Sequence, residues 1–107
     1  MVEQSHKCLD GSVSQGVRLA TCDEGSYQSW YWSGNSLRHS QSGRCLDGSL
    51  SQGVRLVACN GSSYQTWGWR MDELYNSNTM KCLDGSVTQG TRLITCNNSD
   101  YQQWHTF

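Results

Sequence analysis

Six cysteines are the side chains of this 107-residue sequence whose number and spacing most directly imply chemistry. They stand at positions 8, 22, 45, 59, 82 and 96. An even cysteine count in so short a chain predicts disulfide bonds, and disulfide bonds imply an oxidising compartment. A structural zinc site would require close ligand pairs such as Cys-x-x-Cys or His-x-x-x-His. Neither pair occurs, so we expect disulfides and no bound metal.

Side chains suited to catalysis do not form a recognisable motif. The sequence has no nucleophile paired with a base, no pair of unlike carboxylates in a setting unique to one segment, and no cofactor fingerprint. We therefore expect no enzymatic activity and no cofactor.

Charge and hydropathy argue against two classes of partner. Eight Lys and Arg residues against nine Asp and Glu residues leave a net charge of −1. We therefore expect no nucleic acid partner. No segment approaches the roughly 20 apolar residues that span a bilayer, so we expect no membrane insertion. The first residues contain no apolar signal-peptide region. With oxidised cysteines, we expect a secreted or extracellular chain whose export signal lay elsewhere, or a periplasmic one.

Three 23-residue blocks recur at a period of 37 residues. They run over 8–30, 45–67 and 82–104 and align without gaps. Thirteen of the 23 positions are identical in all three blocks, including a Cys-Leu-Asp-Gly-Ser start and a Tyr-Gln-x-Trp end. The sequence therefore predicts three copies of one structural unit. The three histidines, His6, His39 and His105, fall at non-equivalent positions of this repeat, which argues against a shared catalytic or metal role.

Each unit alternates short β-type segments with turn residues, so we expect an all-β fold. Three four-stranded units close into a β-trefoil of about twelve short strands, and closure protects the sheet edges. We expect one domain over 1–107, with repeats at about 1–33, 34–70 and 71–107. Three periods need 111 residues, four more than the chain has. The chain ends should therefore adjoin, with Phe107 covering the incomplete first strand.

The threefold repeat limits the disulfide pairing without deciding it. Six cysteines allow fifteen schemes. Three of these respect the repeat and join the first cysteine of a block to the second cysteine of a block. One of the three closes short loops, and the chain-entropy model assigns each loop of about 15 residues about 3 kcal/mol of stabilisation.

Two-residue alternation assigns the side chains of each unit to two faces. The repeated leucines go to a shared core: Leu9, Leu46 and Leu83, with Leu19, Leu56 and Leu93. The charged residues go outward: Asp10, Asp47 and Asp84, with Arg18, Arg55 and Arg92. For each arginine, a surface ion pair with the neighbouring aspartate is favoured over contact with a sugar. An alternative role for each Asp-Gly pair is to form a turn.

The Cys-Leu-Asp-Gly and Tyr-Gln-x-Trp motifs resemble those of the ricin B-chain type of lectin domain, with its threefold Gln-x-Trp signature. The similarity extends over the whole chain and is greatest to the short actinohivin-like members. It implies a β-trefoil, no metal requirement and up to three shallow sugar sites, called alpha, beta and gamma in the order of the repeats. It also implies disulfides within repeats, namely Cys8–Cys22, Cys45–Cys59 and Cys82–Cys96.

The resemblance also assigns roles to residues in each repeat. The carboxylate that orients the sugar falls on Asp10, Asp47 and Asp84, and a carboxylate can accept hydrogen bonds from two sugar hydroxyls at once. A second polar contact falls on Asp23, Asn60 and Asn97. An aromatic ring that could pack on the apolar face of a sugar falls on Tyr27, Tyr64 and Tyr101, although these rings could instead pack in the core. Gln28, Gln65 and Gln102 should brace the sites, and Trp30, Trp67 and Trp104 should belong to the core.

The sequence departs from the family pattern at two positions. The platform residue, aromatic in the best galactose-binding members, is Ala20, Val57 or Ile94, which leaves aliphatic contact in the second and third repeats only. Arg18, Arg55 and Arg92 stand where members use polar or aromatic contacts, and are possible additional ligand contacts. Asp23 and Glu24 crowd carboxylates into the first repeat. We therefore rank the gamma and beta sites above alpha.

Two functions from different classes fit these residues. The favoured one is a non-enzymatic lectin module that binds glycans multivalently, with galactose-type ligands preferred over mannose or xylan types. Such a module acts alone or as the targeting domain of a larger protein. The alternative is a protein-interaction trefoil, such as an inhibitor or a toxin-targeting domain. In that case the divergent segment 71–75 would carry the binding.

Overall fold

A computed structural model describes residues 2, 6–12, 16–23, 25–49, 53–86 and 90–104. Within these ranges the chain forms ten β-strands, three one-turn 3₁₀ helices and no α-helix. The strands are β1 (Cys8–Ser12), β2 (Gly16–Ala20), β3 (Trp30–Ser33), β4 (Ser36–His39), β5 (Cys45–Ser49), β6 (Gly53–Val57), β7 (Trp67–Arg70), β8 (Glu73–Asn76), β9 (Cys82–Ser86) and β10 (Gly90–Ile94). The 3₁₀ helices are Ser26–Gln28, Ser63–Gln65 and Asp100–Gln102. The prediction of an all-β chain is confirmed.

The strands form antiparallel sheets that follow the repeat. Strands β3-β4-β5-β6 and β10-β9-β8-β7 form two four-stranded sheets, and β1 and β2 form a hairpin. Trp30 pairs with His39 and Trp67 pairs with Asn76 at equivalent positions of the hairpins β3-β4 and β7-β8. The third equivalent of this pair is an isolated antiparallel bridge between Val2 and Trp104. This bridge brings the two ends of the described chain together where the alignment of the repeats predicts it.

The first two strands of every unit pair in the same register. In β5 and β6, Leu46 lies opposite Leu56 and Asp47 lies opposite Arg55. The other two repeats show the same pairs, with Leu9 opposite Leu19, Asp10 opposite Arg18, Leu83 opposite Leu93 and Asp84 opposite Arg92. The strands β2, β6 and β10 contact one another, so the three hairpins meet around a common centre. This is the threefold arrangement of a β-trefoil.

One apolar cluster joins all three repeats. Its buried members are Val2, Leu9, Trp30, Leu37, Leu46, Trp67, Leu74, Leu83 and Trp104. The indole N–H of Trp67 donates to the main-chain oxygen of Leu46 over 2.9 Å, which satisfies the polar atom that a buried tryptophan brings into a core. Trp30 and Trp104 make the equivalent bonds. The prediction that these tryptophans belong to the core is confirmed.

The cysteines pair within repeats, as Cys8–Cys22, Cys45–Cys59 and Cys82–Cys96. This confirms the pairing that the family resemblance implies. Each bond ties the start of the first strand of a unit to the segment that follows the second strand. None of the described residues belongs to a helix long and apolar enough to cross a membrane. The predicted positions of Phe107 and Glu24 lie outside the described residues.

The Asp-Gly pairs lie inside strands β1, β5 and β9, so the alternative that they form turns is wrong. A Cβ atom on Gly48 would lie 3.0 Å from Leu93 Cδ1 and 3.0 Å from Asn76 Nδ2. Gly85 is as closely packed, since its Cβ would lie 3.1 Å from the Trp104 ring. Glycine therefore follows each aspartate because core side chains pack directly against the strand.

Candidate functional site

Each repeat places a buried aspartate under a half-exposed arginine. The distance from the arginine Nε to Oδ1 of the aspartate is 3.3 Å for Arg55 and Asp47. It is 3.4 Å for Arg18 and Asp10 and 3.2 Å for Arg92 and Asp84. The predicted pairing of arginine with aspartate is confirmed, but these are not the surface ion pairs expected from sequence, because the aspartate of each pair is buried.

The aspartates themselves do not face solvent as predicted. Asp10, Asp47 and Asp84 are only 5%, 2% and 2% exposed. Their side chains do lie on the same face as the arginines, as alternation requires, but neighbouring side chains cover them. The prediction that the aspartates face outward is therefore wrong, because alternation gives the face of a strand and not what packs over that face.

A glutamine braces each aspartate from the 3₁₀ helix. Gln65 Nε2 donates to Asp47 Oδ2 over 3.1 Å and to the Ala58 main-chain oxygen over 3.1 Å. Its Oε1 accepts from the Asn60 main-chain N–H over 2.9 Å. Gln28 and Gln102 make the equivalent bonds in the other repeats. Each glutamine therefore connects the buried carboxylate, the segment after the second strand and the 3₁₀ helix.

The tyrosine before each glutamine is exposed. Tyr27, Tyr64 and Tyr101 are 48%, 42% and 39% exposed, so the alternative in which these rings pack in the core is wrong. Each stands in a 3₁₀ helix next to the glutamine that holds the aspartate. The repeat therefore places a solvent-facing aromatic ring beside a fixed polar framework.

The second polar position of each repeat is also exposed, and a local turn fixes it. Asn60 Oδ1 accepts from the Ser62 N–H over 2.9 Å, and Asn97 Oδ1 accepts from the Ser99 N–H over 2.9 Å. In the first repeat Asp23 Oδ1 accepts from the Gly25 N–H over 2.8 Å. The three repeats therefore share this turn, and the first repeat differs by carrying a carboxylate where the other two carry an amide.

The platform residues are partly buried in all three repeats. Ala20, Val57 and Ile94 end the second strand of their units. Their burial leaves part of each side chain accessible. These aliphatic side chains stand where the family pattern has an aromatic ring, and they increase in size from a methyl group in the first repeat to a branched butyl group in the third.

One group of three potential metal ligands occurs among the described residues, and it is not suited to an ion. It consists of Glu73, Cys82 and Cys96. The two cysteines are joined in a disulfide, so they have no thiolate to offer. Glu73 Oε2 accepts from the Asn98 N–H over 2.9 Å instead.

Two buried polar side chains near the tyrosines were missed by the sequence reasoning. His39 and Asn76 are both 0% exposed, and each contacts the main chain of a site tyrosine. A signal for them was present, because each lies two residues after a core leucine of the same strand, Leu37 or Leu74. Period-two alternation therefore places them on the core face.

The sequence also matches the model of a known protein family. The model of the ricin-type beta-trefoil lectin domain matches residues 1–104. The chain belongs to the ricin-type β-trefoil lectin domain family. The β-trefoil arrangement of the three hairpins in this lectin domain agrees with that membership.

Solved structures share the fold of this lectin domain. The hemolytic lectin CEL-III is 25% identical with a TM-score of 0.79, and the match covers 98% of this chain and 29% of that one. The designed threefold symmetric protein ThreeFoil is 26% identical with a TM-score of 0.75, and the match covers 97% of this chain and 92% of that one.

A non-toxic homologue of type II ribosome-inactivating proteins from Momordica charantia (bitter gourd), solved with α-methyl-D-galactoside, also shares the fold. It is 22% identical with a TM-score of 0.85, and the match covers 99% of this chain and 46% of that one. The chain thus spans less than half the length of this protein and of CEL-III. No curated protein sequence matches the chain.

Proposed function

We propose that this lectin domain is a non-enzymatic carbohydrate-binding module with up to three shallow sugar sites, one in each repeat. One observation carries the proposal. In all three repeats the same exposed tyrosine directly precedes the glutamine that bonds the buried aspartate, and the same arginine pairs with that aspartate. We further propose that residues 1–107 form one domain with three repeats, and that it acts outside the cell.

In the proposed site the tyrosine ring packs against the apolar face of a sugar. The amide of Asn60 or Asn97, or the carboxylate of Asp23, forms polar contacts from the exposed side. A carboxylate has about four acceptor positions, and the arginine and glutamine donors occupy two positions on each aspartate. Because each aspartate is buried beneath its half-exposed arginine, a sugar meets the arginine first, and a sugar hydroxyl reaches the carboxylate only when the arginine side chain moves aside.

Galactose-containing glycans are the first ligands to test. The bitter gourd protein was solved with α-methyl-D-galactoside, and the lectin domain of the Vibrio vulnificus hemolysin, 19% identical, was solved with N-acetyl-D-lactosamine. These neighbours guide the choice of ligand only, since specificity depends on side chains around the aspartate. Mannose and xylan ligands belong in the same screen.

Each shallow site should bind a monosaccharide with a Kd on the order of mM. Sites that engage one glycan-bearing surface together should gain a factor of about 10²–10⁴. We propose this multivalent binding as the working mode of the module, acting alone or as the targeting domain of a larger protein.

The test is a glycan array together with isothermal titration of Tyr27→Ala, Tyr64→Ala and Tyr101→Ala, singly and combined. Because these rings are exposed, their removal should leave the fold intact. Single variants should lose one site, and the triple variant should lose multivalent binding. Tyr31→Ala is the matched control, since Tyr31 is 46% exposed but lies in β3, outside the repeated motif. Binding that is equal in the parent and the triple variant would refute the proposal.

In the protein-interaction alternative, only part of the segment 71–75 is accessible to a partner. In the segment 71–75, Glu73 and Leu74 are buried, and the Asp72 main-chain oxygen accepts from Trp104 N–H as Asn35 does from Trp67 N–H. The segment therefore has a structural role equivalent to that of 34–38. Met71, 84% exposed, is the side chain in it best placed for a partner, and loss of all binding in Met71→Ser with intact glycan sites would favour this alternative.

A further inference from the structure

The loop that leads into the first strand of each repeat has one main-chain pattern. His39 N–H donates to the Arg44 oxygen over 2.8 Å, and Gly43 N–H donates to the His39 oxygen over 2.8 Å. The same two bonds form between Asn76 and Lys81 and between Met80 and Asn76. In the third copy they join Val2, Lys7 and His6. His39, Asn76 and Val2 are thus structurally equivalent.

All three residues are completely buried, but their side chains differ in what they can bond. His39 Nε2 lies 2.8 Å from the main-chain oxygen of Tyr27. Asn76 Nδ2 donates to the main-chain oxygen of Tyr64 over 2.9 Å. Both bonds hold a 3₁₀ helix at the residue that carries the exposed ring of the proposed sugar site.

The chemistry of the acceptor fixes the tautomer of His39. A main-chain oxygen can only accept, so Nε2 must carry the proton. The other ring nitrogen, Nδ1, lies 2.8 Å from Ser42 Oγ. Asn76 is held in the same way, because its Oδ1 accepts from the N–H and the hydroxyl of Thr79. Each side chain therefore connects the loop rigidly to the tyrosine.

Among the described residues, the equivalent position of the third copy cannot make this connection. Val2 has no polar side-chain atom and cannot donate to the main-chain oxygen of Tyr101. A ring whose backbone is held before binding loses less conformational freedom when a ligand arrives. One hydrogen bond more or less should change the affinity of a site about fivefold, the factor that corresponds to about 1 kcal/mol.

We infer that His39 and Asn76 are positioning residues of the alpha and beta sugar sites, each through its hydrogen bond to the main-chain oxygen of the site tyrosine. The gamma site binds sugar without an equivalent bond from Val2. The inference rests on the proposed function, and it concerns how each tyrosine is held rather than which sugar binds.

The experiment follows the ring signals of Tyr27, Tyr64 and Tyr101 by NMR during a titration with lactose, so that each site yields its own binding curve. His39→Val copies the third repeat and should weaken the alpha site about fivefold, leaving the other two unchanged. His39→Asn copies the second repeat and should retain the alpha-site affinity. Val2→Asn should strengthen the gamma site. A purely structural role would change all three curves together, in parallel with the loss of stability.

A second measurement tests the bond between His39 and the Tyr27 main-chain oxygen in the absence of sugar. The Gln28 amide donates to the Gly25 oxygen inside the 3₁₀ helix, and its hydrogen exchange should accelerate in His39→Val and not in His39→Asn. The nitrogen-15 shifts of the His39 ring should show the proton on Nε2. Unchanged exchange in His39→Val, or a proton on Nδ1, would overturn the inference even if lactose binds. If the Gln28 amide exchanges faster in His39→Val as expected but no glycan binds the parent protein, the positioning bond exists and the proposed function is refuted.

Discussion

Arg55 lies over Asp47 with Nε 3.3 Å from Oδ1, and the two side chains are 41% and 3% exposed. The pair is therefore neither a surface ion pair, which contributes little, nor a fully buried one. Its carboxylate has lost most of its contact with water and depends on the donors of Arg55 and Gln65. The same dependence recurs at Asp10 and Asp84, so the charged groups of the proposed sites are also structural.

Replacing Arg55 with Met should destabilise the chain by about 1–3 kcal/mol, since the change keeps the apolar stem and leaves the Asp47 carboxylate short of a donor. Urea unfolding followed by tryptophan fluorescence measures the effect. Arg70→Met is the control, because Arg70 is exposed and lies over the Tyr75 ring at 6.0 Å, and it should cost less than about 0.5 kcal/mol. Additive effects of Arg55→Met and Asp47→Asn in a double-mutant cycle would contradict this account.

Gln65→Glu should destabilise the chain by about 2 kcal/mol or more. The substitution removes the two bonds that Nε2 donates to Asp47 and Ala58, and it places a second carboxylate beside the first. Chemical unfolding at neutral pH measures the loss. Gln103→Glu is the matched control, because Gln103 Nε2 donates to the Asn98 main-chain oxygen near the surface and not to a buried carboxylate. Equal stability of the two variants would show that the glutamine brace contributes little.

The repeat explains why so much of the fold can be predicted from this sequence. Identical residues at a 37-residue period carry the core leucines, the disulfides and the tryptophans, so one correct assignment applies three times. The burial of Asp47 could not be predicted in this way, because it depends on Arg55 and Gln65 packing over the strand from later in the chain. The shared structural position of His39, Asn76 and Val2 could not be predicted in this way either, because the three residue types differ and an alignment of the repeats shows only residues that recur.

Gly48→Ala should cost about 1–3 kcal/mol, the usual range for overpacking a core. Its Cβ would lie 3.0 Å from Leu93 Cδ1 and 3.2 Å from the Trp67 ring, so side chains from two repeats would have to move. Gly68→Ala is the control in the neighbouring strand β7, where a Cβ meets nothing within 4 Å. Thermal unfolding of both variants checks the difference. If Gly48→Ala proved as stable as Gly68→Ala, close packing would not be the reason for the glycine that follows each aspartate.

Two exposed methionines occupy left-handed backbone positions that glycine fills elsewhere in the repeat. Met71 has φ 59° where Gly34 has φ 64°, and Met80 has φ 59° where Gly43 has φ 71°. For a residue with a Cβ this conformation costs about 1–2 kcal/mol. Because Met71 and Met80 are 84% and 70% exposed, their side chains contribute little burial in return.

Met71→Gly and Met80→Gly should therefore stabilise the chain. Glycine has more freedom to lose on folding, by about 0.5–1 kcal/mol, so the net gain for each should be at most about 1.5 kcal/mol. Met71→Ala and Met80→Ala are the controls, since they remove the long side chain but keep the Cβ that is disfavoured at positive φ. Urea midpoints should rise for the glycine variants only. A rise of the same size in the alanine variants would assign the effect to the exposed side chains instead of the backbone.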